Sequence, residues 1–171
     1  MSSWFVKFLS SLEIDKPRVF VETGSYFGDG INNVKNDFEL IYSIEISQNF
    51  YSHCKELFSN QQNICLLPGD SAEVLSELSQ EINEPALFFL DARGESFREE
   101  DNGCPLLREL EVLGKRIHND IVIINDMRLM GKVSKNFDFT HINQQKILDS
   151  YNRNCKIYLP GNIDRMIIVP C

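Results

Sequence analysis

The sequence predicts an α/β fold: a seven-stranded, mostly parallel sheet with helices on both faces and an antiparallel last strand. Three observations carry this expectation. Apolar, strand-like runs alternate with helical patterns along most of the chain, the arrangement that yields a parallel sheet covered on both sides. A glycine-rich turn, Glu22-Thr23-Gly24-Ser25-Tyr26-Phe27-Gly28-Asp29-Gly30, stands between the first apolar run and a helical segment. The final two runs are separated only by Pro160 to Arg165, too short for a crossover helix, so the last strand runs antiparallel to its neighbour.

In chain order, Trp4 to Leu12 reads as a short amphipathic helix with Phe5, Phe8, Leu9 and Leu12 on one face, ended by Pro17. Residues 1–17 are thus an N-terminal helical segment, and 18–171 form a single domain. The strand-like runs are Val19–Val21, Leu40–Ile44, Ile64–Leu67, Ala86–Leu90, Ile121–Ile124, Lys156–Leu159 and Met166–Val169. Between them, Gly28–Asn36 is a helix, Ser47–Ser59 is a helix with Ser47 as N-cap, and Ser71–Gln80 is a third with Glu73 in its first turn. Cys104–Arg116 carries Pro105 in its first turn, and Asn143–Tyr151 is a further helix. The acidic run Glu95 to Asp101 reads as an exposed loop or a lid.

Composition narrows the function classes. The 171 residues suffice for one domain with a real core. A formal net charge of −8 argues against nucleic acid or an anionic membrane as the main partner, because both require clustered Lys and Arg. The five cysteines are scattered and odd in number, with no C-x-x-C pair; this suggests reduced thiols in a cytoplasmic protein, not a disulfide framework or a zinc site. No apolar stretch approaches the roughly 20 residues that span a bilayer, and the N-terminus lacks the features of a signal peptide.

The chemistry concentrates at the strand ends. A glycine turn between strand and helix permits positive φ and close approach of a ligand to the main chain, with helical N–H groups directed at it. Glu45 closes the next apolar run about 20 residues further on, the spacing at which a nucleotide-binding βαβ unit presents a carboxylate to ribose hydroxyls. Asp70, Asp91 and the pair Asn125-Asp126 end the third, fourth and fifth runs.

Taken together, Glu22-x-Gly24-x-x-x-Gly28-x-Gly30, Glu45, Gly69-Asp70-Ser71-Ala72 and Asp91 resemble the class I S-adenosylmethionine-dependent methyltransferases, over most of residues 18 to 170. The resemblance implies a Rossmann-like methyltransferase fold binding S-adenosylmethionine. Glu22 would contact the amino acid end of the cofactor, Glu45 with its neighbour Ile46 the ribose, and Asp70 and Ser71 the adenine edge. Gly24, Ser25, Tyr26, Gly28 and Gly30 would supply the turn, and Asp91 would close the site. The carboxylates suit a cationic sulfonium cofactor that lacks phosphate; a pyrophosphate cofactor would be repelled by them.

A narrower resemblance, carried by Leu90-Asp91-Ala92-Arg93, Cys104 to Leu110 and Ile123 to Leu129, is to macrocin-type and, more distantly, catechol-type O-methyltransferases. It implies O-methylation of a small hydroxylated substrate with Asp91 and Asp126 as catalytic residues. It also implies Mg²⁺ held by Asp91, Asn125 and Asp126. The chain departs from these relatives in the order Asn125-Asp126, in Gly94 where catechol-type enzymes place a lysine base, and in Arg93 where macrocin-like relatives often carry histidine. Arg93 and Arg128 read as counterions to Asp91 and Asp126. His141 is the one histidine retained as a candidate. A homo-oligomer is the expected partner state, with a second copy completing the substrate pocket; a non-catalytic methyltransferase-fold partner subunit and an NAD-dependent oxidoreductase are the alternatives.

Overall fold

The computed structural model describes residues 4–94, 101–133, 137–161 and 164–171, and all but one of those side chains, that of Phe5. Glu95 to Glu100, most of the acidic run, fall outside the described residues.

The elements follow the expected order. Strand β1 (Val19–Thr23) leads to α2 (Asp29–Val34), β2 (Leu40–Glu45) to α3 (Gln48–Leu57), and β3 (Ile64–Pro68) to α4 (Ser71–Glu81). Strand β4 (Ala86–Leu90) precedes α5 (Leu106–Leu113), and β5 (Ile121–Asn125) precedes a 3₁₀ turn at Met127–Leu129 and α6 (Gln144–Tyr151). Strands β6 (Cys155–Tyr158) and β7 (Arg165–Pro170) end the chain, and α1 (Trp4–Ser11) begins it. The strands form one sheet in the order β3-β2-β1-β4-β5-β7-β6. β7 is antiparallel to both β5 and β6, as the short connection required. The first five strands are mutually parallel, with Val19 opposite Leu40 and Ala86, and Leu87 opposite Ile121.

Alternate residues of each central strand point to opposite faces, so the sheet divides the core in two. Val19, Val21, Phe88, Leu90, Val122 and Ile124 pack with Leu75, Leu110 and Ile147 under α4, α5 and α6. Phe20, Leu87, Phe89, Ile121 and Ile123 pack with Leu9 and Val34 under α1 and α2. Cys54 and Phe58 seat α3 on that second face beside Ile31. Both faces of β1 and β4 are buried, which explains why those strands read as continuous apolar runs.

One cap differs in detail from the expectation. Ser47 occupies the N-cap of α3, but its side chain makes no cap hydrogen bond. The N-cap of α4 is Asp70, whose Oδ1 accepts from the N–H groups of Ala72 and Glu73 at 3.0 and 3.3 Å. At the opposite end of the sheet, Arg116 and Asp120 form a buried ion pair at 2.8 Å. Arg116 also donates to the carbonyls of Ser79, Ile82 and Glu84. That pair fixes the entries of β4 and β5 and lies away from the glycine turn.

Candidate active site

The carboxyl ends of β1, β2, β4 and β5 converge on the glycine turn, the position at which open α/β sheets bind ligands. Gly24 leaves β1 with φ +83°, and a Cβ there would stand 2.9 Å from the Asp91 carbonyl oxygen. Glycine is therefore required by both backbone conformation and space. Two cavities of about 600 and 590 Å³ open on either side of a ridge formed by Gly24, Tyr26 and Asp91.

Glu22, Ser25, Gly30, Phe89, Asp91, Asn125, Arg165 and Trp4 are among the residues lining the first cavity. Glu22 is only 2% exposed. Its Oε2 accepts from Ser43 Oγ at 2.8 Å, and Ser43 in turn shares a hydrogen bond of 2.6 Å with Ser25 Oγ. Burial pushes the Glu22 carboxyl up to about 8, against the lowering effect of the Ser43 hydroxyl. Gly30 makes room for it: a Cβ at that position would overlap Glu22 Oε1. The glycine at position 30 thus serves the carboxylate and not a turn.

Glu45, Ile46, Asp70, Ser71, Arg93, Asp126 and Phe50 are among the residues lining the second cavity. Glu45 Oε2 accepts from the Tyr26 N–H at 2.8 Å and Oε1 from the Ser47 N–H at 2.9 Å. The first of these bonds holds Tyr26 at φ 48°, a conformation costly for a bulky side chain. Each carboxylate oxygen retains a second acceptor direction. Asp70 is more fully committed: beside capping α4, its Oδ2 meets Arg108 Nη2 at 2.8 Å. Arg108 also binds Asp101.

Gly28 lines neither cavity; its φ of +85° makes the turn into α2, and a Cβ there would come within 2.7 Å of the Phe58 ring. His141 lines neither, and its Nδ1 lies 3.2 Å from the Asp138 carbonyl oxygen. Two residues that sequence reasoning missed are Glu109 and Arg165. Glu109, 1% exposed, receives Ser71 Oγ at 2.5 Å, and burial raises its carboxyl to about 7. A signal for it existed: Glu109 falls on the apolar stripe of Leu106, Leu110 and Leu113.

The expected metal ligands are brought together but already satisfied. Asn125 Nδ2 donates to Asp91 Oδ1 at 3.0 Å, and its Oδ1 accepts from Arg165 Nε at 2.8 Å. Asp126 lies 3.6 Å from Arg93 and 2.5 Å from Arg128, so the counterion reading of these arginines holds. Among the described residues no group of three or more His, Cys, Asp or Glu side chains is placed to hold a metal ion. An Asn oxygen turned to an arginine and an Asp neutralised by two more do not fit a hard divalent cation, which needs free anionic oxygens. Asp91 remains partly open to the cavity, and burial raises its carboxyl above the usual range.

Helices on both faces of a sheet in this order, with β7 antiparallel, constitute the class I methyltransferase fold. The order also departs from the 3-2-1-4-5-6 sheet of the dinucleotide-binding dehydrogenases. Solved structures bear this out. A Podospora anserina methyltransferase bound to SAH (S-adenosylhomocysteine) matches with a TM-score of 0.64 at 17% identity, over 99% of this chain and 79% of that one. A Streptococcus mutans candidate methyltransferase in complex with SAH matches with a TM-score of 0.62 at 11% identity over the full length of both. A candidate O-methyltransferase from Nostoc punctiforme matches with a TM-score of 0.61 at 11% identity, over 96% of this chain and 53% of that one. No protein-family model matches the sequence, and no curated protein does.

Proposed function

We propose that the protein is an S-adenosylmethionine-dependent methyltransferase acting on an oxygen of a small hydroxylated molecule. The observation that carries this reading is the pairing of two buried carboxylates, Glu22 and Glu45, on either side of the Gly24 turn, each facing its own cavity. This donor set fits the cofactor: acceptors for an ammonium and for ribose hydroxyls, and a main chain stripped of Cβ between them. Glu22 and Gly24 would hold the amino acid end, Glu45 and Ile46 the ribose, and the wall of Asp70 and Ser71 the base. Bound there, the cofactor supplies a methyl group activated by a sulfonium centre.

The chain's own residues then position the acceptor and manage its proton. Asp91 Oδ1 is engaged by Asn125, which leaves Oδ2 to accept the proton of the attacking hydroxyl. A carboxylate raised by burial is a better base near neutral pH than an exposed one. Alignment in a confined cavity supplies most of the remaining rate. Asp126 is assigned to orienting Arg93 and not to the reacting atoms, because two arginines hold it. No step passes through Mg²⁺. No helix among the described residues is long and apolar enough to cross a membrane, and the unpaired cysteines suit a cytoplasmic setting.

The test is transfer of labelled methyl from S-adenosylmethionine to a panel of small phenols, sugars and hydroxy acids. Wild type is expected to label at least one, and Asp91→Asn to lower the rate by about 10²-fold or more. Binding of S-adenosylhomocysteine without transfer to any acceptor would favour the non-catalytic alternative.

A further inference from the structure

Arg165 and Arg153 lack the carboxylate partner that the other described arginines have, and of the two only Arg165 lines either cavity of the site. Arg18, Arg93, Arg108, Arg116 and Arg128 each lie within 3.9 Å of a carboxylate. Arg165 has no such partner among the described residues, although it is partly buried, stacked 4.5 Å from the Trp4 ring centroid and 5.5 Å from that of Phe89. Its Nε is committed to Asn125 Oδ1; its two terminal amino groups make no hydrogen bond among the described residues. The carboxylates that act on it from longer range, Asp91, Asp126 and Asp164, are spoken for. Asp91 receives Asn125, while Asp126 and Asp164 both hold Arg128. A partly buried charge without a partner is costly, and such groups are normally paired.

The first cavity supplies the reason. Among the described residues Arg165 is its sole cationic lining residue, set among Trp4, Phe20, Phe27 and Phe89. The same Asn125 side chain that receives Arg165 donates to Asp91. The guanidinium Nε and the Asp91 carboxylate are therefore separated by two hydrogen bonds and the width of one amide, at most roughly 8 Å. We infer that the methyl acceptor is a compact hydroxylated carboxylic acid, whose carboxylate docks on Arg165 while its hydroxyl faces Asp91. The planar guanidinium presents paired N–H donors to a carboxylate, and the aromatic wall suits an apolar or ring-bearing body. This inference rests on the methyltransferase reading and names the substrate class of that site.

The experiment is calorimetric titration of the protein saturated with S-adenosylhomocysteine. The probes are salicylate and 3- and 4-hydroxybenzoate, each against its uncharged carboxamide. At least one acid is expected to bind, with its amide at least about tenfold weaker, the loss that accompanies removal of a charge-assisted hydrogen bond. Arg165→Gln is expected to erase that difference and Arg165→Lys to retain part of it. Affinity for S-adenosylhomocysteine should remain within about twofold in both variants, which also shows that they fold. Equal binding of acids and amides, or binding of no acid, would overturn the inference. So would loss of S-adenosylhomocysteine affinity in Arg165→Gln, because the guanidinium would then serve the cofactor's own carboxylate. Failure of wild type to bind S-adenosylhomocysteine would sink the methyltransferase reading, whereas the acid–amide comparison on the free protein would still report on Arg165.

Discussion

Glu22→Gln separates the cost of the buried carboxyl from its use. Gln preserves shape and can still accept from Ser43 Oγ, but it cannot ionise. In the wild type, burial lifts the folded-state value from 4.5 to about 8. Between those values the native protein retains a proton that the unfolded chain has released, so the unfolded state binds fewer protons and stability falls as pH rises. At 1.36 kcal/mol per unit, this group alone removes about 2 to 3 kcal/mol of stability between pH 5 and pH 7. Glu109, raised to about 7 by burial, acts in the same direction but is present in both proteins and cancels from their difference. Urea denaturation of wild type and Glu22→Gln at pH 5, 6, 7 and 8 measures the effect. The Gln variant is expected to gain on wild type by about 2 to 3 kcal/mol from pH 5 to pH 7. Parallel pH profiles would refute the reasoning, because they would mean that Glu22 titrates like an exposed carboxylate.

The remaining predictions test the frame around the site. Glu45→Ala leaves the Tyr26 and Ser47 N–H groups without their acceptor and should cost about 2 to 4 kcal/mol in urea denaturation; a loss below about 0.5 kcal/mol would show that Glu45 does not hold the turn. Asp120→Ala strands the Arg116 charge in the core and should cost about 3 to 5 kcal/mol, with no effect on S-adenosylhomocysteine affinity beyond that of partial unfolding. Millimolar Mg²⁺ should leave the melting temperature unchanged, since a ligand of the native state raises it by mass action; a reproducible rise abolished by Asp91→Asn would restore a metal to the site.

The fold was legible because its signals are local. Strand β4 is an unbroken apolar run, the turn chemistry of Pro160-Gly161 forces the antiparallel return, and Glu45 follows the glycines at a fixed interval. The parts of the site that sequence reading misjudged depend on partners distant in the chain. Asn125 and Asp126 look like metal ligands until Arg165, forty residues on, takes the Asn oxygen. Gly28 and Gly30 look alike in the motif, yet one clears the Phe58 ring and the other the Glu22 carboxylate. Local spacing carries backbone geometry well; it does not reveal which charge a folded chain sets against which.

The central claim is that Glu22 and Glu45 frame a cofactor site at the Gly24 turn. Calorimetric titration of S-adenosylhomocysteine into wild type, Glu22→Gln and Glu45→Ala at pH 8 tests it most directly. Micromolar binding is expected for wild type, at least about tenfold weaker binding for Glu22→Gln through loss of a charged acceptor, and none detectable for Glu45→Ala. Equal affinity in all three proteins, or no binding by wild type, would contradict it.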